Sequence, residues 1–103
     1  MVQEQWRALE SAYFAGKVRA IGVSNYCAAC LRCIEAIATV SPHVNQVQLH
    51  AGMGSADPSA VVSSSEAVGA VVQAYRPLAQ SRLVSDPTVG SIAEAHGKTP
   101  AQV

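Results

Sequence analysis

Three short β-prone runs recur along this chain, each separated from the next by a stretch with helical periodicity. That alternation narrows the choice of folds more than any other feature, because it fixes how the strands can be joined. From Gln3 to Phe14 the apolar residues Trp6, Leu9 and Tyr13 recur at helical spacing with Glu4, Arg7 and Glu10 between them, and Gly16 stops the pattern. The spacing predicts an amphipathic helix. Val18 to Val23 is the first β-prone run, and it ends at Ser24-Asn25, two residue types that cap helices. A second helix is expected from about Cys27 to Ala38 on the stripe Leu31, Ile34 and Ile37 or Ala38, closed by Ser41-Pro42, with a strand from Val44 to Leu49 after it.

The stretch from Gly52 to Ser65 is rich in Gly, Ser and Ala, yet Asp57-Pro58 offers a cap and a proline suited to a first helical position, so a short helix is expected at about Ser59 to Val68. Ala70 to Tyr75 is the third β-prone run, ended by Arg76-Pro77-Leu78. Asp86-Pro87 repeats the cap-and-proline pattern before a helix that Gly97 ends, and Thr99-Pro100 announces one more.

Strands alternating with helices at this spacing imply an α/β class with parallel strands and right-handed crossovers. Three parallel strands make a poor independent sheet, since both outer strands expose ladder groups that such folds bury or close into a barrel. The chain therefore reads as an excised segment of a larger sheet, against the alternative of a small three-stranded α/β domain complete in itself.

Composition excludes several functions. Half of the 103 residues are hydrophobic and 14% are charged, which suits a packed core rather than a disordered tail. Seven basic residues balance seven acidic ones without clustering, so no footprint for nucleic acid or an anionic membrane is present. Apolar runs fall well short of the roughly 20 residues a membrane span needs. The start of the chain lacks a secretory pattern, and three cysteines crowded at Cys27, Cys30 and Cys33 do not build a secreted disulfide framework. A cytoplasmic setting is expected.

The succession of blocks is informative in its own right. Trp6 to Phe14, then Gly16 to Tyr26 with Gly22-Val23-Ser24-Asn25, then Val44-Asn45-Gln46-Val47-Gln48-Leu49-His50 resemble the aldo-keto reductase family in order and spacing. Val71 to Leu78 is similar to that family's next strand and the start of its cofactor loop, and Ile92 to Val103 to the helix and turn beyond. The resemblance covers nearly the whole chain. It implies a fragment of a (β/α)8 TIM barrel, roughly the fifth to seventh βα units, with the rest of the barrel missing from this chain. It also implies a partial oxidoreductase domain over residues 1–103 that reduces small-molecule aldehydes or ketones with NADPH.

In such barrels the site lies at the C-terminal ends of the strands. The resemblance gives Ser24, Asn25 and Gln46 to the nicotinamide carboxamide and Tyr75 to the ring face, and places Leu78 in the loop that lines the pyrophosphate channel of NADP. From the residues alone, Ser24 and Asn25 are equally suited to capping the following helix. Gln46 shares a strand face with Gln48 and His50, and a buried amide there needs a partner, at a cost of about 1 to 3 kcal/mol without one. His50 reads as a structural histidine satisfied by a neighbouring loop in preference to one touching substrate, and is not counted among the site residues. Arg76 and Ala79 stand where the family usually has Ser and Gly.

No catalytic residue is assigned. The family's proton-donating tyrosine and its lysine, aspartate and histidine partners lie in earlier strands, and Tyr13 belongs to a helical stripe. The groups that select NADPH over NADH lie beyond the last strand, and no Gly-x-Gly-x-x-Gly supports a Rossmann fold. The rival reading is thiol-disulfide exchange by Cys27 and Cys30, a Cys-x-x-Cys pair opening a helix; a vestigial, non-catalytic reductase is a third. A metal site lacks a fourth ligand.

Overall fold

In the computed structural model, which describes residues 2–103, helices and strands alternate throughout. They are α1 (Val2–Phe14), β1 (Gly22–Ser24), α2 (Ala28–Glu35), β2 (Val44–Gln48), α3 (Val61–Ala67), β3 (Val71–Tyr75) and α4 (Pro87–Ala95). The three strands are parallel in the order β1-β2-β3, so each crossover carries a helix over one face of the sheet. The α/β class and the parallel sheet expected from the alternation are what the chain forms. Its radius of gyration is 17.0 Å, whereas a compact domain of this length is about 13 Å. The chain is an elongated slab, 48 × 27 × 20 Å, with one face of its sheet covered.

β1 is shorter than the β-prone run that contains it. Pairing with β2 begins at Gly22↔Val44, one further bond joins His43 N–H to the Ile21 carbonyl, and Val18 to Ala20 lie exposed ahead of the ladder. Gly22 is required at that register, because a Cβ there would sit 2.6 Å from the Val44 carbonyl oxygen.

Helix α1 buries a different stripe from the one its apolar residues suggest. Trp6 and Glu10 are buried and Tyr13 half-buried, whereas Leu9 is 40% exposed. Glu10 earns its place by accepting the backbone N–H groups of Thr39 (2.6 Å) and Val40 (2.8 Å), while Trp6 Nε1 donates to the Val40 carbonyl at 3.2 Å. Both residues thus tie α1 to the loop after α2, around a core of Trp6, Ile21 and Ile34. Each such side chain contributes on the order of 2 kcal/mol by burial.

Helix α3 begins later than its sequence suggests. Pro58–Ala60 forms a 3₁₀ turn in which Ser59 and Ala60 take left-handed backbone angles, and the α-helix starts at Val61. Asp57 still caps it, from a distance, by accepting Val62 N–H (2.6 Å) and Ser63 N–H (3.2 Å). The second cap is as expected: Asp86 accepts Thr88 N–H (2.8 Å) and Val89 N–H (3.1 Å) ahead of Pro87 at the start of α4. At Thr99-Pro100 the chain makes a single 3₁₀ turn with a capping box to Gln102.

Candidate functional site

Register determines which side chains meet. Ser24, Gln46 and Gln73 pair across the three strands, as do Gln48 and Tyr75 one step further on, so all five project to the same face of the sheet. That is the face no helix covers: Gln46 and Gln73 are exposed, and Val71 in the row below is 67% exposed. Val23, Asn45, Val47 and Val72 turn the other way, toward the helices.

At the strand tips the polar groups form one chain of hydrogen bonds. The Tyr75 hydroxyl donates to Asn25 Oδ1 at 3.0 Å, Asn25 Nδ2 donates to Ser24 Oγ at 3.1 Å, and Ser24 Oγ donates to the Gln46 carbonyl at 3.0 Å. Asn25 N–H reaches the same carbonyl at 2.9 Å. Asn25 bends away from the strand in a left-handed conformation, φ 59°, which asparagine tolerates better than most residues. Gln46 Nε2 donates to Gln73 Oε1 at 2.8 Å, and this leaves Gln46 Oε1 and Gln73 Nε2 to meet an outside partner.

The turn carrying Asn25 is anchored from beneath. Asn45 is fully buried; its Nδ2 donates to the Tyr26 carbonyl (2.8 Å) and to Ser65 Oγ (3.0 Å), and its Oδ1 accepts Tyr26 N–H (3.3 Å). Ser65, also fully buried, donates onward to the Val61 carbonyl at 2.6 Å. Asn45 and Ser65 are therefore positioning residues for the tip of β1, and Gln73 is a polar neighbour of Gln46. Sequence reasoning singled out none of the three. Period-two alternation puts Asn45 on the face opposite Gln46, and Gln73 is the residue that register alone sets beside Gln46.

Four of the five residues expected at the site come together: Ser24, Asn25 and Tyr75 at the strand tips, and Gln46, midway along β2, through its carbonyl. Leu78 lies apart, in a hollow of about 250 Å³ that it lines with Pro77, Leu83, Val89 and Pro100. His50 is satisfied locally, its Nδ1 lying 2.6 Å from the Ala51 carbonyl and its Nε2 3.3 Å from Gln48 Nε2. Beside it a cleft of about 320 Å³ opens between the exits of β2 and β3, lined by His50, Gly52, Ala79, Arg82, Leu83 and Asp86. A second cleft of about 240 Å³ adjoins Asn25, Tyr26 and Gln48. Both open at the C-terminal ends of the strands.

The loop after β3 carries strain. Arg76, Ala79, Gln80 and Ser81 all have positive φ, and Ala79 is buried in that conformation. Arg76 is exposed beside Tyr75. Chemically, the tips present donors and acceptors next to an aromatic ring. Such an arrangement suits a flat ligand group bearing both a donor and an acceptor. No cluster of three or more metal-binding side chains occurs among the described residues, and no described helix is long and apolar enough to cross a membrane.

Residues 2–103 match the Aldo/keto reductase family. Glyoxal reductase of Bacillus subtilis is 37% identical over 101 residues, covering 98% of this chain and 36% of that protein. Among solved structures, a putative 2,5-diketo-D-gluconic acid reductase B superposes with a TM-score of 0.90 at 28% identity, over 99% of this chain and 35% of that one. A mutant of Gox0644 in complex with NADPH gives a TM-score of 0.81 at 37% identity, over 94% of this chain and 35% of that one. The chain spans about a third of the length of the curated relatives it matches.

Proposed function

Because the chain belongs to the aldo/keto reductase family, we propose that residues 1–103 supply the nicotinamide-holding wall of an NADPH-dependent oxidoreductase domain that reduces small aldehydes or ketones. What carries this assignment is the meeting of Asn25 and Tyr75 at the strand tips with Gln46, midway along β2. A carboxamide needs one acceptor and one donor, and Asn25 and Gln46 offer both kinds, with Ser24 holding Asn25 in place. The Tyr75 ring, released from Asn25, would lie against the nicotinamide so that one ring face is presented. NADPH, when bound, would supply the hydride, and the residues of this chain would bind and orient its nicotinamide and exclude water. Leu78 and the loop around it would flank the pyrophosphate, with Arg76 offering a charged contact where a serine is usual.

On this proposal the aspartate, tyrosine, lysine and histidine that drive carbonyl protonation lie outside the chain. A cytoplasmic setting accords with three exposed, free cysteines.

The test is NMR observation of the side-chain amides of Asn25 and Gln46. Reduced nicotinamide mononucleotide should shift both signals as NADPH does, and adenosine diphosphate should leave them unmoved. Gln46→Ala should weaken binding about ten-fold, the worth of roughly one charge-free hydrogen bond. Shifts confined to adenosine diphosphate would sink the assignment. Rapid NADPH consumption by this chain with a reactive aldehyde would refute the view that the proton-donating groups lie elsewhere.

A further inference from the structure

The cysteine cluster stands outside the hydrogen-bond chain of the strand tips, and two of its thiols are already in contact. Cys27 Sγ and Cys30 Sγ lie 3.3 Å apart, and both residues are exposed. We propose that Cys27 and Cys30 form a reversible intramolecular disulfide, opened and closed by exchange with low-molecular-weight disulfides and thiols. Three observations carry this beyond a motif.

First, the spacing is set by the fold. Cys27 is the residue before α2, with extended backbone angles (φ −79°, ψ 172°), and its carbonyl accepts the first helical bond from Leu31 N–H at 2.9 Å. Cys30 is one turn on, so closure needs side-chain rotation rather than movement of the helix. Second, the two thiols are unlike. The Cys30 N–H, then the Cys30 thiol and the Ala29 N–H, hold the Cys27 thiol below its ordinary range; hydrogen bonding to Cys27 pushes the Cys30 thiol up. Cys27 makes no formed capping bond through its sulfur, so these N–H groups act as aligned dipoles at the helix start. Third, three cysteines fall one short of the four thiolates that a zinc or iron–sulfur site of this kind generally takes.

The exchange balances. Cys27 thiolate attacks one sulfur of a small disulfide, that S–S bond breaks, and the departing thiolate takes up the proton that Cys27 gave to solvent. Cys30, on losing its proton, attacks the Cys27 sulfur of the mixed disulfide and expels the second small thiolate, which is protonated in turn. Two protein thiols are oxidised and one small disulfide is reduced to two thiols. Cys27 is the attacking thiol and Cys30 the resolving one. Unlike disulfide exchange performed on other proteins, this reaction begins and ends within the chain.

The experiment equilibrates the full chain in mixtures of reduced and oxidised glutathione, quenches with acid and an alkylating agent, and maps the cysteines by mass spectrometry. The expected product links Cys27 to Cys30 with the loss of two hydrogens and leaves Cys33 alkylated. Cys30→Ser should halt the reaction with glutathione on Cys27, whereas Cys27→Ser should leave Cys30 alkylatable several-fold longer. In the unsubstituted chain, which needs no variant to fold, Cys27 should alkylate several-fold faster than Cys30 near neutral pH. Equal glutathione adducts on all three cysteines would overturn the proposal, as would a Cys30–Cys33 link or a Cys27 that stays free while Cys33 is modified.

Discussion

Asn45 and Gln46 are adjacent amides on one strand, yet they live on opposite faces of the sheet and do opposite things. Asn45 is fully buried and spends its donors and acceptor on Tyr26 and Ser65. Gln46 is exposed and spends one donor on Gln73, keeping its oxygen for something else. The covered face uses amide chemistry to hold a turn; the open face presents it. The difference teaches that a polar residue in a parallel strand must be read by its face before its type, because burial turns an optional hydrogen bond into an obligatory one.

The largest expected effect breaks that comparison at its covered side. Asn45→Ala strands the Tyr26 N–H and carbonyl and takes from Ser65 Oγ the hydrogen bond it accepts, and should lower unfolding stability by about 3 kcal/mol in urea titrations. Gln46→Ala should cost under about 0.5 kcal/mol in the same titration, as an exposed substitution does. Equal losses would erase the distinction between the faces. Next in size is Gly22→Ala, on the open face. Its Cβ would lie 2.6 Å from the Val44 carbonyl oxygen, so β1 must move off β2, at about 2 kcal/mol. A neutral result would mean the strand tip is looser than its register implies.

Much of this architecture was legible beforehand. Alternating periodicity gave the strands and the class, and Asp86-Pro87 marked α4 because an acceptor followed by a preset φ acts locally. Ser24, Asn25 and Tyr75 converge because they sit at or just beyond strand ends, which share an edge in a parallel sheet, and Gln46, midway along β2, joins them because its register partner is Ser24. What could not be read depended on contacts distant in sequence. Glu10 displaces Leu9 from the buried stripe of α1 only because Thr39 and Val40 present bare N–H groups to it. Ser65 looked like part of a polar, weakly helical stretch, and only packing against β2 makes it a partner of Asn45. Gln73 gains meaning solely from its register with Gln46.

A smaller effect sharpens the comparison in the loop that follows the open face. Ala79 is buried with φ 49°, a conformation that costs an L-residue about 1 kcal/mol and glycine nothing comparable. Ala79→Gly should therefore raise the unfolding midpoint slightly, by relief of strain partly offset by the greater freedom of the unfolded chain. A destabilisation of similar size would show that the Ala79 methyl packs usefully and that the loop is not strained.

The smallest effect separates the faces by pH. Asp57 caps α3 through the N–H groups of Val62 and Ser63, and hydrogen bonding to Ser63 above all holds its carboxyl below the ordinary value of 3.8. With a folded value lower than the unfolded one, the carboxylate's contribution is complete above that ordinary value and is lost as pH falls through the lowered one. Since α3 carries Ser65, acid should loosen the helix under Asn45 before it disturbs the open-face pair Gln46 and Gln73, neither of which titrates. The protection of the amides of residues 61–67 against hydrogen exchange, taken relative to their intrinsic rates at each pH and followed downward from pH 5, should fall in this range. In Asp57→Asn that loss of protection should disappear, because asparagine retains an acceptor without a proton to gain. Persistence of the same pH dependence in that variant would assign the acid sensitivity to some other carboxylate and remove Asp57 from the support of the covered face.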